Sequence, residues 1–372
     1  MHRTLLSASL SLALALPSWA SVPSCVTDSD LAILAGAHVI YSWPKTIPAP
    51  AQLVGLVRDG VVGGVILFGE NVGNGTADTL ASLQEDYESS PANAVFRKYF
   101  RTTGPLFINT DQEGGQVRRI KAGGPFLTAK QTGASADPAA AGTTAGGEAA
   151  QALKSYSFNG NLAPVLDIFR QPKDFTDYFQ RSYGNTSAIV SAAATAFIKA
   201  QQAAGVPATA KHFPGLGSAT HQQDTDAGPV TLTVSLDDIR SIDEVPYISA
   251  IAAGLDLVMP SWAVYPAMDN VPSGLSSKWI REELRGRLGF TGVTITDALE
   301  AGALTPFGDL PKVSVMAAKA GLDMLLASQR NVTQGEVVRS ALISAVKTGE
   351  VDWKDFVAST KRILQLRSKL LG

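Results

Sequence analysis

Cysteine is almost absent. Cys25 is the only one, so no internal disulfide can form. Histidine is scarce too, with four residues and no H-x-H pair, and nothing in the sequence calls for a metal or a cofactor. Only 17% of the 372 residues are charged, and 31 basic side chains stand against 33 acidic ones for a net charge of −2. Without a basic excess there is no electrostatic footprint for nucleic acid. No apolar run reaches the roughly 18 residues that a membrane span requires. A dinucleotide fingerprint is also missing. Gly123-Gly124 and Gly146-Gly147 do not fit a strand–GxGxxG–helix turn and read as loop and helix-start glycines.

What is present is a chain 45% apolar, too hydrophobic for disorder and long enough for one large barrel or two ordinary domains. Met1 to Ala20 has the form of a secretory leader: His2 and Arg3, an apolar stretch from Leu5 to Leu16, then a small-residue cleavage site ending at Ala20. This predicts a secreted protein. Cys25 lacks the small-residue box of a lipoprotein, because Pro23 interrupts it, and reads as a free thiol. Asn74, Asn185 and Asn331 each open an N-glycosylation acceptor triplet, relevant only in a host that glycosylates.

From Asp28 onward, short apolar runs alternate with amphipathic ones. Strands are expected at Ala35–Tyr41, Gly63–Phe68, Leu106–Thr110, Gly160–Ile168, Ala208–His212, Asp256–Pro260, Val293–Asp297 and Met324–Ala327. Their uninterrupted apolar character suits parallel strands covered on both faces. Helices are expected between them at Gln52–Arg58, Thr76–Tyr87, Ala139–Ser157, Ala188–Ala204, Leu236–Ala253, Lys278–Leu288 and Val313–Ala320. Gly205, Gly254, Gly289 and Gly321 fall where left-handed caps are wanted. The Ala/Gly-rich stretch from Ala134 to Ala150 reads as a loop entering a helix. Eight strands with intervening helices predict an α/β fold, a single-domain (β/α)8 barrel over residues 28–372, in preference to a doubly wound sheet. The tail from Asp352 to Leu371 is expected to dock on it as an amphipathic helix.

Polar residues gather where the strands end, the rim at which such a barrel places its site. Asp297 follows Val293-Thr294-Ile295-Thr296 and fits either a helix N-cap or a carboxylate nucleophile beneath a sugar's anomeric carbon. Lys211 and His212 end another strand, and a Pro-Gly turn there can bring both toward the mouth. A cation with an imidazole suits sugar hydroxyls, which donate and accept. Asp224 and Asp226 lie in the long polar loop after it. As neighbouring anions they raise the pKa of one of them and supply a proton donor, or else they serve a solvated or capping loop.

These segments resemble glycoside hydrolase family 3. Lys211-His212-Phe213-Pro214-Gly215-Leu216-Gly217 is similar to the KHFPGxG signature of its single-barrel β-N-acetylhexosaminidases, and Thr110 to Gly115 to its TDQEGG segment. Ala163 to Asp167 resembles its APVLD strand and Arg181 to Gly184 its RSFG turn. The resemblance implies a retaining exo-β-glycosidase that forms a covalent glycosyl-aspartate. Asp297 aligns with the nucleophile, while Asp111, Arg181, Lys211 and His212 align with residues that hold the sugar's hydroxyls. The partner implied is a β-linked carbohydrate. Two departures stand out. The family's Asp-Ser-His triplet is Asp224-Thr225-Asp226 here, so the acid/base histidine is absent; Asp226, or His221 upstream in the same loop, is the remaining donor. Trp262 occupies a place where relatives carry histidine, and an indole there is expected to stack on a sugar ring. A carbohydrate-binding barrel without turnover, or a β-glucosidase specificity, stands as the competing reading.

Overall fold

The computed structural model describes residues 22–371, so the leader expected at residues 1–20 lies outside them. Ten strands alternate with helices: β1 (Val39–Tyr41), β2 (Gly64–Ile66), β3 (Phe107–Thr110), β4 (Gln112–Gly114), β5 (Val117–Arg118), β6 (Gly160–Asn161), β7 (Thr209–Phe213), β8 (Leu257–Pro260), β9 (Val293–Thr294) and β10 (Leu325–Leu326). Strands β4 and β5 form a small antiparallel hairpin beyond β3. The other eight are parallel. One sheet runs β10–β1–β2–β3–β6 and another β7–β8–β9. Parallel bridges from Asn161 to Ala208 and from Ile295 to Met324 join the two into a ring. This is a (β/α)8 barrel.

Alternation of side chains along the strands builds two apolar layers. Ile40, Ile66, Phe107, Leu257, Met259, Val293 and Leu326 fill the barrel interior. Val39, Tyr41 and Val65 face outward into the layer beneath the helices. The C-terminal helix Trp353–Ser368 closes the bottom, with Ile363 and Leu366 joining the interior cluster. Arg367 of that helix is fully buried and donates to the carbonyls of Pro105 and Gly104 (2.6 and 3.2 Å).

Gly205, Gly254, Gly289 and Gly321 all take positive φ, from 72° to 110°, behind their helices. Three expectations need correcting. Residues 35 and 36 end a helix, Asp28–Gly36, capped by the Thr27 side chain accepting from the Asp30 amide; the strand starts only at Val39. The Ala/Gly stretch is helical from Pro138, with Asp137 as its N-cap, so Gly146-Gly147 lie inside a helix and not at its start. These small residues have a packing role: a Cβ on Gly142 or Gly146 would lie 2.2 Å from the carbonyl oxygens of Ala193 and Phe197 on helix Ser187–Ala203. Helices at Ala92–Phe100 and Val332–Thr348 complete the outer layer.

Cys25 is free and exposed near the start of the described chain. Asn74, Asn185 and Asn331 are exposed, and Asn331 also caps its helix by accepting from the Thr333 amide. Among the described residues no helix is long and apolar enough to cross a membrane.

Candidate active site

At the C-terminal ends of the strands lies a cavity of about 180 Å³. Asp111, Arg181, Lys211, His212, Asp224, Asp226 and Asp297 all line it. Residues that are far apart in the chain, at or beyond the ends of four different strands, meet in one place. The volume is small beside the roughly 300–1,000 Å³ of pockets for larger ligands, and it matches one ring more than a chain of rings.

Strand β7 shows how the local structure does this. Ala210 faces the outer core and Lys211 the cavity, as alternation requires; strict alternation would then turn His212 outward. Instead the pairing with β8 slips between Lys211 and Phe213, so Phe213 joins the outer core and His212 stays on the cavity side. Both residues are buried, at 2% and 5% exposure.

The Lys211 ammonium lies 2.8 Å from Asp111 and 2.8 Å from Glu113. Arg181 grips Glu113 through two parallel bonds, Nε at 2.9 Å and Nη2 at 2.8 Å. Arg119 stands 3.5 Å from Asp111. Burial works to raise the pKa of Glu113 and Asp111, but the adjacent Arg181, Lys211 and Arg119 charges overcome it, and both carboxyls stay below their usual range. Burial likewise opposes the Lys211 charge, yet Asp111 and Glu113 push its pKa upward. The network is a fixed set of charges ready to donate to and accept from hydroxyls.

Asp167 holds the imidazole. It accepts from the backbone amides of His212 (3.1 Å) and Leu216 (2.8 Å), and its other oxygen lies 2.8 Å from His212 Nδ1. Nδ1 therefore carries the proton, and Nε2 is the ring nitrogen left to a ligand.

Asp297 caps no helix. Its Oδ1 accepts from the next amide, Ala298 (2.8 Å), while the side chain stays on the cavity wall. Asp226 stands at the open rim, reached by water yet crowded by its surroundings. Burial by that crowding, then the charges of Asp297 and Asp224, raise its pKa to about 6. The segment holding Asp224 and Asp226 is a turn and not an extended strand. Asp224 Oδ1 accepts from the Asp226 amide (2.9 Å), so Asp224 fixes the backbone that presents Asp226.

The two departures resolve differently from expectation. Trp262 offers no face to a sugar: it is 1% exposed, and its Nε1 donates to the Ala298 carbonyl (2.8 Å), bracing the peptide beside Asp297. His221 is not among the cavity-lining residues and packs against Tyr178. Sequence reasoning passed over Glu113, Asp167 and Arg119. Each lies within or beside a segment already singled out, and the signal available was a further carboxylate or cation at the end of a strand.

The Glycosyl hydrolase family 3 N terminal domain matches residues 39–366. An uncharacterized secreted glycosyl hydrolase of Arthroderma benhamiae is 48% identical over 352 residues, which cover 94% of this chain and 97% of that protein. A β-hexosaminidase of Xylella fastidiosa is 32% identical, over 86% of this chain and 94% of its own. The structure of a β-N-acetylglucosaminidase from Paenibacillus sp. superposes with a TM-score of 0.83 at 31% identity; it covers 92% of this chain, which spans 62% of that longer one. A β-N-acetylhexosaminidase from Beutenbergia cavernae gives 0.76 at 28% identity, covering 92% of this chain and 99% of its own.

Proposed function

This chain belongs to glycosyl hydrolase family 3, and from that premise we propose a secreted, retaining exo-β-N-acetylhexosaminidase in which Asp297 is the nucleophile and Asp226 the acid/base. The observation that carries the assignment is that two carboxyls with different environments share one ring-sized cavity with a fixed Lys211–Asp111–Glu113–Arg181 network. The terminal sugar sits on that network, with Lys211, Asp111, Arg181 and His212 holding its hydroxyls. An Asp297 oxygen attacks the anomeric carbon as the bond to the leaving oxygen breaks, and that oxygen takes the proton of Asp226. Esterification removes the negative charge of Asp297. One of the causes raising the Asp226 pKa disappears with it, so the carboxyl that has given up its proton stays ionised and free to accept one in the second step. There Asp226 takes a proton from water, the water oxygen bonds to the anomeric carbon, and the Asp297 ester bond breaks.

The choice of an N-acetylated sugar rests on the kinds of enzyme that the bacterial relatives are, and secretion on the leader and on the Arthroderma relative. Asp297→Asn is expected to abolish turnover of a nitrophenyl N-acetylglucosaminide, and NMR of the wild-type first product to show retained β configuration. Inversion overturns the two-step route, and faster turnover of the β-glucoside overturns the sugar. Binding without turnover across a nitrophenyl panel favours the non-catalytic barrel, the reading motivated by the missing histidine.

A further inference from the structure

A second cavity, of about 90 Å³, lies at the opposite end of the barrel from the active site. His38 and Leu322, which line it, precede β1 and β10, and the C-terminal helix Trp353–Ser368 forms its outer wall. Three guanidiniums meet there: Arg281 and Arg285 from the helix Lys278–Arg287, and Arg362 from the C-terminal helix. Grouped cations need counter-charges, and the protein supplies two. Asp323, fully buried beneath, takes Arg285 Nη2 on one oxygen (2.7 Å) and Arg362 Nη2 on the other (2.7 Å). Asp355 takes Arg281 Nη2 (2.9 Å) at the surface. Burial keeps His38 neutral, so it adds no charge. One positive charge is left over. Arg285 registers it: burial lowers its pKa, and the Arg362 and Arg281 charges lower it further against the pull of Asp323. Its fork is also not saturated, because the buried Nε has no partner among the described residues. Planar guanidinium forks match the paired oxygens of an oxyanion, which a point charge cannot do as well. One water needs about 10–15 Å³ of such space, so the cavity takes an ion of a few atoms and is far too small for a larger ligand.

We propose that this cavity binds a small tetrahedral oxyanion, inorganic phosphate or sulfate, through the Arg281 and Arg362 guanidiniums, and that the bound ion ties the C-terminal helix to the helix Lys278–Arg287. The test uses the full chain with inorganic phosphate as the probe, by calorimetry and by urea titration at fixed pH and ionic strength. Phosphate is expected to bind, to be displaced by sulfate, and to raise the urea midpoint by mass action, while chloride at the same ionic strength does not. Arg281→Gln removes one fork and is expected to weaken phosphate about tenfold, the size of one charge-assisted hydrogen bond. Asp355→Asn acts in the opposite direction: it removes the carboxylate that competes for Arg281, and phosphate binds more tightly. A merely structural ion pair between Arg281 and Asp355 gives no such opposed pair of effects, since losing either partner then has the same consequence. The proposal is overturned if chloride raises the midpoint equally, which is screening alone, or if sulfate fails to displace phosphate. It is overturned as well if Arg281→Gln binds phosphate as tightly as wild type, which places the ion elsewhere, or if Asp355→Asn weakens it.

Discussion

At the scale of the residue, the proposed chemistry turns on two aspartates made unlike by their surroundings. Asp297 has an amide donor and lies beside Arg- and Lys-bearing walls; Asp226 is crowded and faces two other carboxylates. An acid with a pKa near 6 is protonated below that pH and lost above it. The rate constant kcat/KM is therefore expected to fall as pH rises through about 6, and Asp226→Asn to remove that limb of the profile. The same variant should lose about 10²- to 10⁴-fold in kcat/KM on a substrate with a sugar leaving group and change little in kcat/KM on a glycosyl fluoride, whose slowed second step azide, a nucleophile that needs no base, accelerates. A pH profile that survives Asp226→Asn assigns the proton donor elsewhere. Trp262 teaches a different lesson. An aromatic residue near a sugar site suggested stacking, but burial turned its one polar atom toward a carbonyl, where an unpaired N–H would otherwise cost stability.

At the scale of the element, the loops after β7 and β9 behave as one unit. The amides of Gly302 and Ala303 donate to the carbonyls of Asp226 and Thr225 (2.9 and 3.0 Å), linking the Asp226 loop to the Asp297 loop. The approach is so close that a Cβ on Gly302 would lie 2.6 Å from the Ala227 carbonyl oxygen. Gly302→Ala must push the Asp226 loop away. It is expected to lower kcat about tenfold on disaccharide and much less on the fluoride, with a stability cost of about 1–3 kcal/mol by urea titration. Equal losses on both substrates would mean that the nucleophile moved as well. The alternation of apolar and amphipathic segments made the strands legible, because parallel strands need cover on both faces. Their ends were less legible: the register slip that puts Lys211 and His212 on one side is a property of the β7–β8 pairing, and local pattern cannot report it.

At the scale of the whole molecule, closure of the barrel gathers the site at one end and the C-terminal helix seals the other. His38 marks that seal. It stacks on Phe356 (4.6 Å), and its nitrogens lie 2.8 Å from the Asp323 carbonyl oxygen and 2.8 Å from Thr360 Oγ1. Burial lowers its pKa from 6.5 to about 4 despite the opposing influence of Asp323. The unfolded chain takes up the proton near 6.5 and the folded one only near 4. The stability associated with the neutral ring is therefore complete above pH 6.5 and is lost as pH falls toward 4, on the order of 3 kcal/mol in all. Urea midpoints of wild type and His38→Gln should converge as pH is lowered through that window. Parallel curves would show that His38 does not govern the acid limb.

The sequence by itself determined the barrel and the roster of charged side chains. Strand and helix periods are local, and a carboxylate at the end of an apolar run announces itself wherever the run goes. Glu113 and Asp167 were legible only as parts of longer segments, since their importance lies in pairing with Arg181, Lys211 and His212 across the ring. Only the tertiary structure decided which carboxylate is crowded by others, which histidine faces the cavity and which leans on a tyrosine, and that Trp262 braces rather than stacks. Those are properties of distance and of exclusion from water, and both exist only once the eight strands have closed.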